Sequence, residues 1–182
     1  MGLVAVPSLA QWVRPRLLTD LRCDPEQVIH QRQWWRLLTA VAVQDGGAVG
    51  SCFNLATLAV VAVLACRAWG GPRALVLFAC SAALLNGMAT ASGAGTAGSS
   101  GATFALASSI AGLALVRSRG AGRLRAGLPI AIGAVILALG NPHGIAVLTG
   151  AALGILTEAA SPTPAARNRS SGARPQATLE VL

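Results

Sequence analysis

What most constrains this chain is a succession of apolar runs between Ser51 and Ala160, separated only by short breaks that carry arginine or glycine. Each run approaches the roughly 20 residues a helix needs to cross the hydrocarbon core of a bilayer. A segment in lipid must satisfy its own backbone hydrogen bonds, which a helix does. A water-soluble domain of 182 residues has no interior large enough for a chain that is 54% hydrophobic, 11% charged and has a mean hydropathy of +0.62. The sequence therefore reads as an all-α, polytopic helical membrane protein. Five spans are expected, at about Ser51–Ala68, Ala74–Met88, Ser100–Val116, Leu128–Leu139 and His143–Ala160, with Ala89–Ser99 as a glycine-rich loop.

Charge gives the orientation. The net charge of +8 comes from arginine alone, with no lysine, and the isoelectric point is near 11.4. Nucleic-acid binding does not follow, because the arginines sit between apolar runs and no basic helix carries base-stacking aromatics. The breaks after spans one and three hold Arg67 and Arg73, then Arg117, Arg119, Arg123 and Arg125; the tail holds Arg167, Arg169 and Arg174. If every span crosses, these share one face, and the positive-inside rule makes it cytoplasmic. The chain divides into an amphipathic region over 1–40, a transmembrane core over 41–160 and a basic tail over 161–182 that reads as disordered. Leu3–Val13 is apolar but contains Pro7 and is too short to span. Trp34-Trp35-Arg36 before Leu37-Leu38-Thr39 reads as an interfacial anchor. Cys23, Cys52, Cys66 and Cys80 have neither zinc-ligand nor redox spacing; the last three are expected to be small buried hydrophobes and no disulfide is expected.

Candidate chemistry gathers at one depth. Crossings alternate, so spans one, three and five run the same way and their N-terminal ends share the outer face. Asn54, Ser100 and His143 fall in or near the first turns of those spans. Each has a structural reading: Asn54 as a helix–helix hydrogen bond, the Gly98-Ser99-Ser100-Gly101 stretch as close helix packing, His143 as a wetted helix end. Together they suit nucleophilic catalysis. A serine needs a base to take its proton, and His143 is the one imidazole in the apolar part of the chain. The first turn of a helix adds unpaired N–H groups and a positive dipole end, which favour an oxyanion. No third member stands out. Glu158 lies about 22 Å further along the histidine helix, and Asp45 sits in a loop, so the natural reading is a Ser–His dyad.

Gly98-Ser99-Ser100-Gly101 with Phe104 resembles the G-x-S-G motif of rhomboid intramembrane serine proteases. Asn141-Pro142-His143 with Ala146, Gly150 and Gly154 resembles their last core helix, where the base histidine precedes small residues at four-residue spacing. Trp35-Arg36-Leu37-Leu38-Thr39 is similar to their loop motif before the second core helix, and Asn54 matches their oxyanion asparagine. The likeness runs over about residues 25–160. It implies hydrolysis of peptide bonds in transmembrane protein substrates, with Ser100 as nucleophile and His143 as general base and then acid. The oxyanion would be held by Asn54 and the N–H groups of Ser100 and Gly101. The chain would act as a multi-pass protein of the plasma membrane, in contact with the lipid bilayer, and needs no metal or cofactor.

Two departures matter. Gly50 stands four residues before Asn54, where the family has a histidine, and Gln44 or Asp45 stands near a second histidine position. An inactive rhomboid-like relative that binds membrane segments is therefore the first alternative. A small transporter or structural membrane protein is the second, although its expected repeat symmetry is absent. The family also has a core helix before the W-R loop, and none is readable here. Five spans with a cytoplasmic tail leave the N-terminus outside, with five arginines moved across the membrane. The expectation is a missing first helix, with residues 14–40 as an outer-face loop on the headgroups.

Overall fold

The computed structural model describes residues 2–161; the tail expected to be disordered lies outside the described residues, Ser161 excepted. Among the described residues the fold is all-helical. Short helices α1 (Gly2–Ala10), α2 (Arg16–Leu21), α3 (Pro25–Ile29) and α4 (Arg36–Thr39) lead through a 3-10 turn (Ala40–Ala42) into five longer ones. These are α5 (Gly47–Trp69), α6 (Gly71–Ala91), α7 (Ser100–Arg117), α8 (Ala121–Ala138) and α9 (His143–Ala159). Helices α5 to α8 are long and apolar enough to cross a bilayer, and α9 is a shorter apolar helix of 17 residues. The chain is a multi-pass membrane protein.

Glycine and proline set the joints. Gly70, with φ +79°, caps α5 and donates its N–H to the Cys66 carbonyl, and Pro72 then sits in the first turn of α6, where its missing N–H costs nothing. Gly140, with φ +81°, closes α8 just before Pro142 and α9. The α8 boundary differs from expectation: the helix begins at Ala121, so Arg123 and Arg125 lie in its first turns rather than in a loop. Arginine is a good helix former, and at a membrane boundary its long stem lets the charge reach the headgroups while the backbone stays helical.

The region before α5 is built, not draped. Short helices precede the Trp-Arg stretch, none long enough to span a bilayer; α1, of nine residues, tolerates Pro7 because only the bond back to Leu3 is lost. Val4 of α1 packs with Val41, Leu58, Ala82 and Ala102, and Ser8 Oγ donates to the Ala42 carbonyl at 3.0 Å. Asp24 caps α3 by accepting the Gln27 N–H, with Pro25 at the first helical position. Trp34 and Trp35 are exposed, as an interfacial anchor requires, but Arg36 is buried. Its guanidinium donates to the carbonyls of Thr19 and Arg22 and to Gln33 Oε1. The expected outer-face loop is thus a clamp of short helices around one arginine. The cysteines also reverse expectation. Cys23 is enclosed, with Sγ 3.1 Å from Thr90 Oγ1, whereas Cys52, Cys66 and Cys80 are exposed on the outer surface of the helices. Apolar residues in a bilayer lower their energy as well against lipid as against protein.

Helix α7 is the centre. Its apolar window is 44% buried against 11% for α8, and it packs against α5, α6, α8 and α9. The contact with α9 is backbone to backbone. A Cβ at Gly150 would land on the Ala105 carbonyl, one at Gly154 on the Ser109 carbonyl, and one at Gly112 on the Ala151 carbonyl. Each step from Ala105 to Ser109 on α7 matches one from Gly150 to Gly154 on α9, so the helices run parallel. At their far ends Arg117 and Glu158 form a two-pronged ion pair at 2.8 and 2.9 Å.

Gly150→Ala and Gly154→Ala should each lower stability by about 1–3 kcal/mol, because the added methyl meets backbone that cannot yield. Gly127→Ala on α8, where nothing lies within 4 Å, should be neutral or slightly stabilising. Thermal unfolding in detergent measures all three.

Candidate active site

Ser100 opens α7 and His143 opens α9, so the parallel register of those helices brings both to one end of the bundle. His143 Nε2 lies 3.4 Å from Ser100 Oγ. Phe104, one turn along α7, stands edge-on to the imidazole with ring centroids 5.1 Å apart and limits its rotation.

The other ring nitrogen has a partner that sequence reasoning missed. Asn141 Oδ1 accepts the backbone N–H of His143 at 3.0 Å and lies 2.9 Å from His143 Nδ1. A backbone N–H only donates, so the atom facing it is the amide oxygen. That oxygen only accepts, so Nδ1 carries the proton in the neutral ring. The lone pair is then on Nε2, toward Ser100. The signal was in the Asn-Pro-His order: an asparagine two residues before a helical N–H forms an Asx turn. Asn141 carries no charge, so an acidic third member is not what this site has.

The serine turn is suspended from the region before α5. Cys23 and Thr96 exchange two backbone hydrogen bonds at 2.9 Å. Thr96 Oγ1 donates to Asn86 Oδ1, and Asn86 Nδ2 donates to the Leu37 carbonyl, each at 2.8 Å. Gly98 N–H donates to the Ala40 carbonyl at 2.9 Å. Gly98 takes φ +126°, a conformation side chains rarely adopt, so it is required by the turn itself. Gly101 has ordinary φ, and a Cβ there would touch only Leu85 Cδ1 at 3.4 Å. The first bond inside α7 runs from Thr103 N–H to the Ser99 carbonyl, so the N–H groups of Ser100, Gly101 and Ala102 have no partner within the helix.

Asn54 is the eighth residue of α5, about 10 Å along the helix at 1.5 Å per residue, two turns in rather than one. Its Nδ2 donates to Gln44 Oε1 at 2.9 Å and lies 4.0 Å from where a Gly98 Cβ would be. The amide therefore borders the serine turn with one N–H engaged. It also places the turn about 10 Å along α5 from that helix's N-terminal end. A cavity of about 650 Å³ is lined by Asp45, Asn86, Met88, Ser100, Gly101 and His143 among others. Asn54 and Gly50 are not part of that wall, and the space around Gly50 is open. Asp45 shares the cavity but makes no bond to His143, whose Nδ1 is taken by Asn141. Among the described residues no three His, Cys, Asp or Glu side chains form a group able to hold a metal ion.

Asn141→Ala frees the imidazole to change tautomer and rotate. Labelling of Ser100 by a fluorophosphonate should slow at least about 10-fold, short of the 10²–10⁴ that a general base supplies altogether. Asn141→Asp, which keeps the acceptor oxygen, should label at close to the parent rate.

Comparison of the chain with protein-family models, with curated proteins and with solved structures finds no match.

Proposed function

We propose that this chain is a rhomboid-type intramembrane serine protease that hydrolyses peptide bonds of transmembrane protein substrates, in a plasma membrane. The observation that carries the reading is the Ser100–His143–Asn141 line, with Nδ1–H fixed on one side and the Nε2 lone pair facing the hydroxyl on the other. The separation of 3.4 Å is at the long end of hydrogen-bond reach, and catalytic bonds of this kind tighten once substrate is held.

The steps follow from these atoms. Ser100 Oγ attacks the scissile carbonyl carbon as His143 Nε2 takes its proton. The carbonyl oxygen becomes an oxyanion, held by the unpaired N–H groups of Ser100 and Gly101 at the positive end of α7. The second N–H of Asn54 adjoins the same turn. His143 returns the proton to the leaving nitrogen as the C–N bond breaks, which leaves an acyl ester on Ser100. Water then attacks that ester, giving its proton to Nε2, and Ser100 regains it as the acid leaves. Asn141 supports the imidazolium by accepting from Nδ1–H throughout.

One observation favours the inactive alternative. Gly50 offers no side-chain donor, and the Asn54 amide is bonded to Gln44 outside the cavity wall. The two readings diverge in a cleavage assay with purified protein and a transmembrane reporter. Ser100→Ala, His143→Ala and the double variant should all fall to one residual rate, since members of a catalytic unit are strongly non-additive. Parent protein that neither cleaves the reporter nor labels with fluorophosphonate would establish the inactive reading.

A further inference from the structure

Among the buried polar side chains that the proposed mechanism does not use, Gln44 is set directly against the serine turn. Gln44 is the largest of the fully enclosed side chains among the described residues. It lies where α1, α5 and the serine turn meet. Its Oε1 accepts from Asn54 Nδ2 at 2.9 Å and from the Ser99 N–H at 3.3 Å. Its Nε2 donates to Ser99 Oγ at 3.3 Å and to Ser8 Oγ and the Val41 carbonyl at 3.4 Å. Its backbone is held as firmly: Gln44 N–H donates to Gln11 Oε1 and Gln11 Nε2 donates to the Gln44 carbonyl, both at 2.9 Å.

We infer that Gln44 is a positioning residue for the nucleophile, fixing the Ser99–Ser100 turn and the Asn54 amide against each other through one shared oxygen. The inference rests on the proposed role of Ser100. The turn wraps this oxygen closely: a Cβ on Gly98 would lie 3.3 Å from it. With the Ser99 N–H committed to Gln44, the Gly98–Ser99 peptide plane is set, and the next two N–H groups, those of Ser100 and Gly101, are those left for an oxyanion. With one Asn54 N–H committed to the same oxygen, the direction of the other is set as well. A buried amide with both ends satisfied is rigid, because any rotation strands a donor or an acceptor away from water. Gln11 and Ser8 extend the hold to α1 and its following turn, so the N-terminal helix anchors the reacting end of α7.

The test is steady-state cleavage of a transmembrane reporter by full-length protein, with thermal stability followed in parallel. Gln44→Met keeps the volume and removes both polar ends. Its kcat should fall about 10²-fold, the cost of a small misplacement of reacting groups, while KM stays within about two-fold. In an Asn54→Ala background the same substitution should cost at least about three-fold less, because one arm of its action is already gone. A parent-like kcat, or an undiminished loss in that background, overturns the inference. Should Gln44→Met fail to fold, Gln44→Glu carries the test. Its buried carboxyl ionises above the usual carboxylate range, beside the developing oxyanion. The ratio of its rate to the parent's should then fall between about pH 5 and 8, whereas a constant ratio overturns the inference. The titratable side chains on the cavity wall, Asp45 and His143, are common to both proteins and cancel in the ratio. Ser100→Ala separates the two levels. If it is inactive and Gln44→Met is not impaired, only the role of Gln44 falls; if Ser100→Ala cleaves at the parent rate, the protease reading falls with it.

Discussion

The direct contact between the backbones of α7 and α9 is the constraint on which the rest depends. Lipid tails solvate leucine and valine as well as a protein interior does, so helices in a bilayer gain little by burying them. What remains is close packing, and here it is the fit of Gly150 and Gly154 against the carbonyls of Ala105 and Ser109, returned by Gly112 against Ala151. Contacts of this kind have no slack and admit one register. That register places the first residue of α7 beside the first residue of α9, and those residues are Ser100 and His143. A slip of one turn would separate them by about 5 Å. The small residues and the Ser100–His143 pair are thus one feature, since the glycines fix the distance between hydroxyl and imidazole.

The serine turn needs a second constraint, because a loop of Gly, Ala, Ser and Thr has little tendency of its own to hold a shape. It comes from the region before α5. Backbone bonds from Cys23 and Ala40, the Asn86 amide and the Gln44 side chain hold successive residues from Thr96 to Ser99. That region is in turn held by Arg36, whose guanidinium ties the ends of α2 to α4. Removing such a partner would leave carbonyls buried without donors, at about 1–3 kcal/mol each. The short N-terminal helices therefore act on the site through hydrogen bonds, and the long helices act on it through contact.

The helices and the juxtaposition of Ser100 with His143 were legible in the sequence because each depends on local pattern. Apolar runs between arginines mark spans, and alternation alone puts the starts of α5, α7 and α9 on one face. Four-residue spacing of Ala146, Gly150 and Gly154 marks a packing face on α9. What was not legible depends on long-range partners. Gln44 is an ordinary loop residue until Gln11, Asn54 and Ser99 surround it. Arg36 reads as a surface charge in a Trp-Arg pair, yet it is buried by carbonyls 14 and 17 residues away. Cys52, Cys66 and Cys80 were expected inside because the chain around them is apolar; in a bilayer that pattern does not separate the lipid-facing side of a helix from the protein-facing one. Asn141 was missed for a different reason, since its role follows from the geometry of an Asx turn and not from charge.

Depth links the fold to the chemistry. The proposed hydrolysis needs water at a place that lipid surrounds. The serine turn sits about 10 Å along α5 from its N-terminal end, and α9, at 17 residues, is about 26 Å long where the hydrocarbon core is about 30 Å thick. Helix α9 is joined at its far end to α7 by Arg117 and Glu158, and its N-terminal end stays beside that of α7. The recess above Ser100 and His143 is the cavity walled by Asp45, Asn86 and the loop from Ser92 to Gly98. Those polar side chains and loop peptides can hydrate a space walled by α6, α7 and α9. Ser100 and His143 border that space from the N-terminal ends of α7 and α9, so the water that the proposed hydrolysis needs would reach them from the polar side of the cavity.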